Sequence, residues 1–464
     1  MLMERLGVQG SSFILQIILA RILSPEHYGV LSMMLIFTAL ANVFIQRGFN
    51  AALIQNKDVN EDDCSSIFWV TTAIALLMYA ILYFAAPYIA VFYEMPSLTD
   101  PFRVLCLMLI PGAYNSIQIA IVSRELDFKK VFRTNLASIV ISGVISIIMA
   151  MRGFGLWSLV AQRLLNICIA CITMHYSITW RPRFVFNVQR VKVLFSYGWK
   201  MLVSSLVNTL YLDLRSLVIG KKFDSTTLAF YNKGKNFPQF LIRIINSTLQ
   251  SVMLPAMSSE QDNHSQVKSL VRHSAAISAY VVFPLMAGLA AVAKPLVLLL
   301  LTEKWFFCVP FLQIYCFALA VEPVLTCSLQ AISALGRSDV LMKLEIAKKG
   351  FGIISLILAA VFFTSPVAIA LTGALTALFS VIVSAAPNKK LLGYSYREQL
   401  LDVVPSLAAS LLMALAVIAV GQIKLPSFAL LCLQILTGII VYIGISAGCR
   451  LRPFRILLKT ILRK

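Results

Sequence analysis

Long uninterrupted apolar runs are the feature that most limits what this chain can fold into. The sequence of 464 residues is 59% hydrophobic and 13% charged, whereas a soluble domain is about 45–50% apolar and about 25% charged. The runs reach the roughly 20 residues that a membrane-spanning helix needs, and they are continuous rather than alternating, which excludes a porin-type barrel. We therefore predict an all-α polytopic membrane protein. A soluble enzyme, a secreted disulfide scaffold and a single-pass receptor are excluded.

The apolar runs predict about fourteen spanning helices. They lie at 6–22, 28–46, 66–93, 103–123, 132–151, 155–178, 194–219, 226–254, 274–301, 308–335, 341–363, 366–386, 403–421 and 426–448. With this count every Lys- and Arg-rich loop falls on the same side as both termini, and the positive-inside rule makes that side the cytoplasm. The net charge of +20 is therefore attributed to cytoplasmic loops and not to a nucleic-acid partner.

Two internal similarities indicate a duplication. Residues 18–29 resemble 218–229 at an offset of 200, and 117–127 resemble 329–339 at an offset of 212. An offset of six helices lets both copies insert with the same orientation. The sequence thus predicts an N-terminal six-helix lobe (1–180), a cytoplasmic inter-lobe linker (181–193), a C-terminal six-helix lobe (194–390), and helices 13 and 14 with a basic cytoplasmic tail (391–464). The linker is either a simple connection or a segment on the membrane surface.

Several charged residues interrupt the apolar runs. A charge at bilayer depth costs at least about 2.5–3.5 kcal/mol, so such a residue usually faces a cavity or a partner. The cations selected as substrate ligands are Arg47, Arg163, Arg215, Lys233, Lys235 and Arg243. Because Arg and Lys match phosphate groups well, this set predicts a cationic, water-filled cavity for an anionic substrate. A structural ion-pair network is the alternative interpretation.

The sequence contains no recognisable catalytic or cofactor motif. The four His residues form no metal-ligand spacing, and there is no P-loop or Gly-rich nucleotide motif. We predict a protein that is not an enzyme and has no metal or cofactor. A proton or sodium gradient remains as an energy source, and Asp213 is the predicted titrating group.

Several ordered motifs resemble one family. The stretch L-A-R-I-L-S-P-E-H-Y-G (19–29) is similar to the first signature of bacterial polysaccharide exporters. The family is that of the Wzx-like O-antigen flippases, of the colanic acid and teichuronic acid exporter type, within the multidrug/oligosaccharidyl-lipid/polysaccharide superfamily. The similarity continues at 48–55, 123–130, 153–162, 230–235, 254–258 and 303–313. In F-Y-N-K-G-K (230–235), Lys233 stands where the family often has Arg.

The resemblance implies two six-helix lobes that face a central cavity, followed by a final helix pair. It also implies a flippase of the bacterial inner membrane that carries an undecaprenyl-diphosphate-linked oligosaccharide to the periplasmic leaflet, in a pathway with a polysaccharide polymerase and glycosyltransferases. Two alternatives remain. A drug or cation antiporter of the same fold would need carboxylates for a positive substrate. A membrane polysaccharide polymerase or ligase would need a sizeable periplasmic loop, which the predicted spans do not leave.

Overall fold

A computed structural model describes residues 2–46, 53, 59–125, 127–423 and 425–462. Within these ranges the chain forms helices and contains no strand. By contacts it divides into two compact units, Met1–Ala229 and Phe230–Lys464. The lobe and linker boundaries given above stay a prediction.

The first unit is built from eight helices and the beginning of a ninth. These are α1 (Leu2–Ile22), α2 (Pro25–Gln46), α3 (Glu61–Phe92), α4 (Thr99–Cys106), α5 (Leu109–Arg124), α6 (Phe128–Met151), α7 (Leu156–Ser177), α8 (Val188–Lys222) and α9 (Ser225–Ser258). Helix α6 packs along α7 and α1, and α2 packs along α8.

The second unit contains the rest of α9 and the remaining helices. These are α10 (His264–Ala291), α11 (Ala293–Leu301), α12 (Val309–Ala320), α13 (Glu322–Ala334), α14 (Ser338–Phe362), α15 (Pro366–Leu392), α16 (Tyr396–Val420), α17 (Ser427–Gly448) and α18 (Arg452–Leu462). Helix α10 is central because it packs against α12, α13 and α16.

The prediction of an all-α polytopic membrane protein is confirmed. Twelve helical segments of the described chain are long and apolar enough to cross a membrane. The count of fourteen stays a prediction, since the apolar part of α1 is the shorter Gly7–Ile22. Helix α14 carries Glu345, Lys348 and Lys349 within its 25 residues, and these charges interrupt its apolar part.

The segment predicted as a linker docks onto the first turn of α3. Asn60 and Asp63 form a capping box that begins this helix. Arg190 then donates two hydrogen bonds to Asp63, from Nε to Oδ1 at 2.9 Å and from Nη2 to Oδ2 at 2.6 Å. Trp69 stacks on Phe184 with ring centroids 5.0 Å apart. Residues on either side of the start of α8 are therefore held by α3 in the first unit.

The two similar segments at offset 200 occupy equivalent helix junctions. Helices end at Ile22 and Lys222, and the next ones begin at Pro25 and Ser225. Within the first unit these junctions also touch, because the carbonyl of Ser225 lies so close to Gly29 that a Cβ could not fit. Glycine is needed here for close approach of two backbones.

Candidate functional site

The start of α9 packs tightly on the start of α12. A Cβ on Gly234 would lie 2.7 Å from the carbonyl oxygen of Cys308 and 2.7 Å from the backbone nitrogen of Leu312. The segments 230–235 and 303–313, both singled out by the family resemblance, therefore meet in the second unit. Gly234 touches the backbone of the segment 303–313. The neighbouring residues Lys233 and Lys235 therefore lie on either side of this contact.

Lys233 lies in the packed interior of the second unit. Its side chain is buried, and its ammonium nitrogen is 5.3 Å from the centroid of the Trp305 ring. Trp305 is fully buried and meets Phe230 edge-on, with centroids 6.1 Å apart. A cation over an aromatic face is stabilised by the ring quadrupole. In this position Lys233 connects α9 to the segment 303–313. Its role as a substrate ligand stays a prediction.

Lys235 points to a different set of groups. Its side chain is half-buried, and its ammonium nitrogen is 5.8 Å from the ring centroid of Tyr315. The hydroxyl of Tyr315 is hydrogen-bonded to that of Tyr231. Lys235 also interacts electrostatically with Glu322. The structure thus places a predicted ligand within electrostatic range of a carboxylate that was not predicted to belong to the site.

Glu322 occupies a helix break inside a membrane-spanning segment. The segment Glu303–Ala334 is apolar enough to span, but α12 ends at Ala320 and α13 begins at Glu322, with Pro323 at its first turn. Asn246 of α9 donates a hydrogen bond from Nδ2 to Glu322 Oε2 at 3.3 Å. In the sequence, this break is visible as a Glu-Pro pair within an apolar run. The sequence does not show which residues contact the Glu322 carboxylate.

Arg243 lies farther along α9, and its side chain is exposed. Helix α9 is continuous from Ser225 to Ser258 despite Pro238 and Pro255. On a continuous helix the eight residues from Lys235 to Arg243 leave the two side chains about 80° apart, on one broad face. The predicted shared face of these two cations therefore follows from the observed helix.

The remaining predicted residues belong to the first unit or are undescribed. Arg163 is exposed in the middle of α7 and interacts electrostatically with Tyr28 of α2. Asp213 and Arg215 are half-buried on α8, and the Arg215 guanidinium carbon is 5.8 Å from the ring centroid of Tyr211. Arg47 lies outside the described residues.

An apolar groove of about 520 Å³ lies within the second unit. Helices α9, α10, α16 and α17 contribute to its wall, with Leu241, Gly288, Met413 and Gly438 among the lining residues. Two polar residues line the groove, and both are engaged with backbone carbonyls: the Tyr442 hydroxyl donates to Tyr280 at 2.7 Å, and Gln434 Nε2 donates to Val417 at 3.1 Å. The groove therefore offers an apolar surface to a ligand.

In the described part of the chain, no group of three or more His, Cys, Asp or Glu residues could hold a metal ion. Around α9 the second unit offers a cationic helix face, the Glu322 carboxylate and an apolar groove.

Known proteins show the same sequence pattern and fold. A family described as polysaccharide biosynthesis protein matches residues 18–310. The succinoglycan biosynthesis transport protein ExoT of Rhizobium meliloti (strain 1021) is 25% identical over 339 residues, 73% of this chain and 69% of ExoT. The teichuronic acid biosynthesis protein TuaB of Bacillus subtilis (strain 168) is 27% identical over 304 residues, 65% of this chain and 63% of TuaB. The chain thus spans about two thirds of the length of each relative.

Among solved structures, the lipid II flippase MurJ in an inward closed conformation superposes with a TM-score of 0.81 at 16% identity, covering 99% of this chain and 100% of MurJ. At this identity the similarity establishes the fold. The resemblance inferred from the motifs is confirmed by the family match, which includes more than half of the residues. The chain belongs to the polysaccharide biosynthesis protein family.

Proposed function

We propose that this chain is a flippase that moves an undecaprenyl-diphosphate-linked oligosaccharide from the cytoplasmic to the periplasmic leaflet by alternating access. Such a substrate combines a sugar, a strongly anionic diphosphate and a long apolar chain. The observation that carries the proposal is the chemistry of α9 in the second unit. This one helix offers cations on one face and a wall of the apolar groove on another.

The positions along α9 separate these two surfaces. Leu241, which lines the groove, is about 120° from Lys235 and about 160° from Arg243 around an ideal helix. A ligand seated across α9 could place its phosphates near the two cations while its chain lies in the groove. Since lipid is as apolar as the groove, the groove would select by shape and by nearness to the cations.

Arg47, Arg163 and Arg215 belong to the same proposal as predicted phosphate ligands, because guanidinium groups bind phosphate in a bidentate manner. The buried Lys233 would act on the site through the electrostatic field rather than by direct contact. Asp213 remains the proposed titrating group for coupling to a proton or sodium gradient.

The cellular setting belongs to the same proposal. We place the protein in the bacterial inner membrane with both termini in the cytoplasm, where the basic loops would face the anionic leaflet. The relatives are named for succinoglycan transport and for teichuronic acid biosynthesis. Glycosyltransferases would supply the lipid-linked oligosaccharide, and a polymerase would consume it; the chain itself would carry out no bond-making step.

Complementation tests the proposed function. A host that lacks its own flippase would express wild type, Lys235→Ala or Arg215→Ala, and surface glycan and lipid-linked intermediates would be measured. Arg337→Ala is the matched control, since this exposed Arg pairs with Asp339 at 2.9 Å outside the site. We expect wild type and the control to restore surface glycan and the two site variants to insert normally but export poorly.

Other outcomes would point elsewhere. If wild type restores export and both site variants do too, the site assignment fails while the function stands. If the host of origin, after deletion of this chain, translocates intermediates normally but loses polymerisation, the polymerase alternative replaces the flippase. Export of cationic drugs without any effect on glycan would favour the antiporter.

A further inference from the structure

The carboxyl group of Glu322 lies inside a membrane-spanning segment, where a charge is costly unless it is compensated. It is at the helix break in the segment Glu303–Ala334, well away from both ends. The amide groups at the start of α13 favour a negative charge, although Pro323 contributes no N–H. A carboxylate at such depth is stabilised when a cation or hydrogen-bond donors compensate it.

Its compensation comes mainly from α9. Lys235 is the described cation that interacts electrostatically with Glu322, and Asn246 donates the hydrogen bond to its carboxylate. On α12, α10 and α14 the nearby groups are neutral or already paired. They are the Tyr315 phenol of α12, the Ser278–Cys327 contact of α10 with α13, and Lys348 of α14, which pairs with Glu345 of its own helix at 3.8 Å. Helix α15 also packs on α13, and its cations Lys389 and Lys390 lie in its last turn, which packs near the end of α13 at Ala334.

The hydrogen bonds around Glu322 suit both of its protonation states. Thr326 Oγ1 lies 3.3 Å from Asn246 Oδ1 and 2.9 Å from the backbone carbonyl of Glu322, so its proton has two acceptors. When Thr326 donates to the carbonyl, Asn246 Oδ1 is available to accept a proton from a neutral carboxyl. An amide side chain both donates and accepts, so Asn246 can serve a carboxylate or a carboxylic acid with a small rotation.

We infer that Glu322 is a proton-binding site that is coupled to the binding of the diphosphate. This inference rests on the proposed function. A diphosphate that draws Lys235 to itself removes the cation from Glu322 and places a second anion nearby, and both changes favour the protonated carboxyl. The proton comes from solvent onto a Glu322 carboxyl oxygen, and it returns to solvent when the diphosphate leaves and Lys235 faces Glu322 again.

Calorimetry on the purified full-length protein tests this inference. Farnesyl diphosphate would be titrated near neutral pH in two buffers of different ionisation enthalpy, which gives the number of protons taken up on binding. We expect wild type to take up a fraction of a proton that approaches one, as linkage requires for a single coupled group. Glu322→Gln should bind without this uptake, so that any proton exchange left in the variant is that of the ligand's own phosphate groups. The control Glu260→Gln, in an exposed position after α9, should behave as wild type.

A second variant keeps the test decisive if Glu322→Gln folds poorly. Lys235→Gln should bind farnesyl diphosphate more weakly and with much less proton uptake, because no ammonium group is left to move from Glu322 to the diphosphate. Uptake in Glu322→Gln or Lys235→Gln equal to that of wild type would overturn the inference, as would binding to wild type without uptake, while the proposed function would stand. Failure of wild type to bind farnesyl diphosphate would overturn both.

Discussion

Gly234 is the position where a single methyl group should have the largest measurable effect on the site. A Cβ there would lie 2.7 Å from the Cys308 oxygen, the Leu312 nitrogen and the Phe311 Cβ. Two of these atoms are backbone, so no side-chain rotation relieves the contact, and overpacking of this kind costs about 1–3 kcal/mol. Alanine recovers at most about 1 kcal/mol through its higher helix propensity. We expect Gly234→Ala to lower the free energy of unfolding by about 1–2 kcal/mol.

The measurement is thermal unfolding of the purified protein in detergent, followed by tryptophan fluorescence. Gly350→Ala is the matched control, because a methyl group added to this helical glycine of α14 would meet no other packed group of the described chain within 4 Å. We expect the midpoint to fall by a few degrees for Gly234→Ala and to stay or rise for Gly350→Ala. A Gly234→Ala protein as stable as the Gly350→Ala protein would refute the close packing of α9 on α12.

Two further predictions concern the groove and the first unit. Gly288→Leu should fill the apolar groove, since an added Cβ there would lie 3.6 Å from the methyl group of Met413. Binding of undecaprenyl diphosphate should then fall more than that of farnesyl diphosphate. Gly444→Leu should spare both, because an added Cβ at Gly444 would meet no other packed group of the described chain within 4 Å. An equal loss for the two chain lengths would argue against the groove. Glu94 accepts a hydrogen bond from Lys221 at 2.8 Å, and this contact lowers the pKa of the Glu94 carboxyl. The pair therefore stabilises the fold at neutral pH, and this contribution is lost as the pH falls through the lowered pKa. The thermal midpoints of wild type and Glu94→Gln should therefore differ slightly near neutral pH and converge in acid; a difference that persists in acid would contradict the assignment.

The membrane class and the helix junctions could be predicted because they depend on local sequence. Continuous apolar runs indicate helices that lie in lipid. The offset of 200 between the two similar sequence segments matches the helix ends at Ile22 and Lys222. The junction after Lys222 was predictable for the same reason. Helix α14 shows the limit, because Lys348 and Lys349 interrupt its apolar part, and packing rather than hydropathy decides how such a helix is accommodated.

The site could be predicted only as a set of residue types. Sequence identifies Lys233 and Lys235 as cations in an apolar segment, but it cannot show that the contact at Gly234 sends one to Trp305 and the other toward Glu322. That separation depends on residues about 70 to 90 positions away in the chain. Such long-range contacts leave no local signal in a single sequence.

The central claim is that the cations of α9 bind a lipid-linked diphosphate during translocation. The most direct measurement reconstitutes wild type, Lys235→Ala and Arg337→Ala in vesicles that contain a labelled undecaprenyl-diphosphate-linked oligosaccharide, and follows access of an external reagent to the labelled sugar. We predict protein-dependent translocation for wild type and Arg337→Ala and a large loss of rate for correctly folded Lys235→Ala. Translocation by Lys235→Ala at the wild-type rate would contradict the claim.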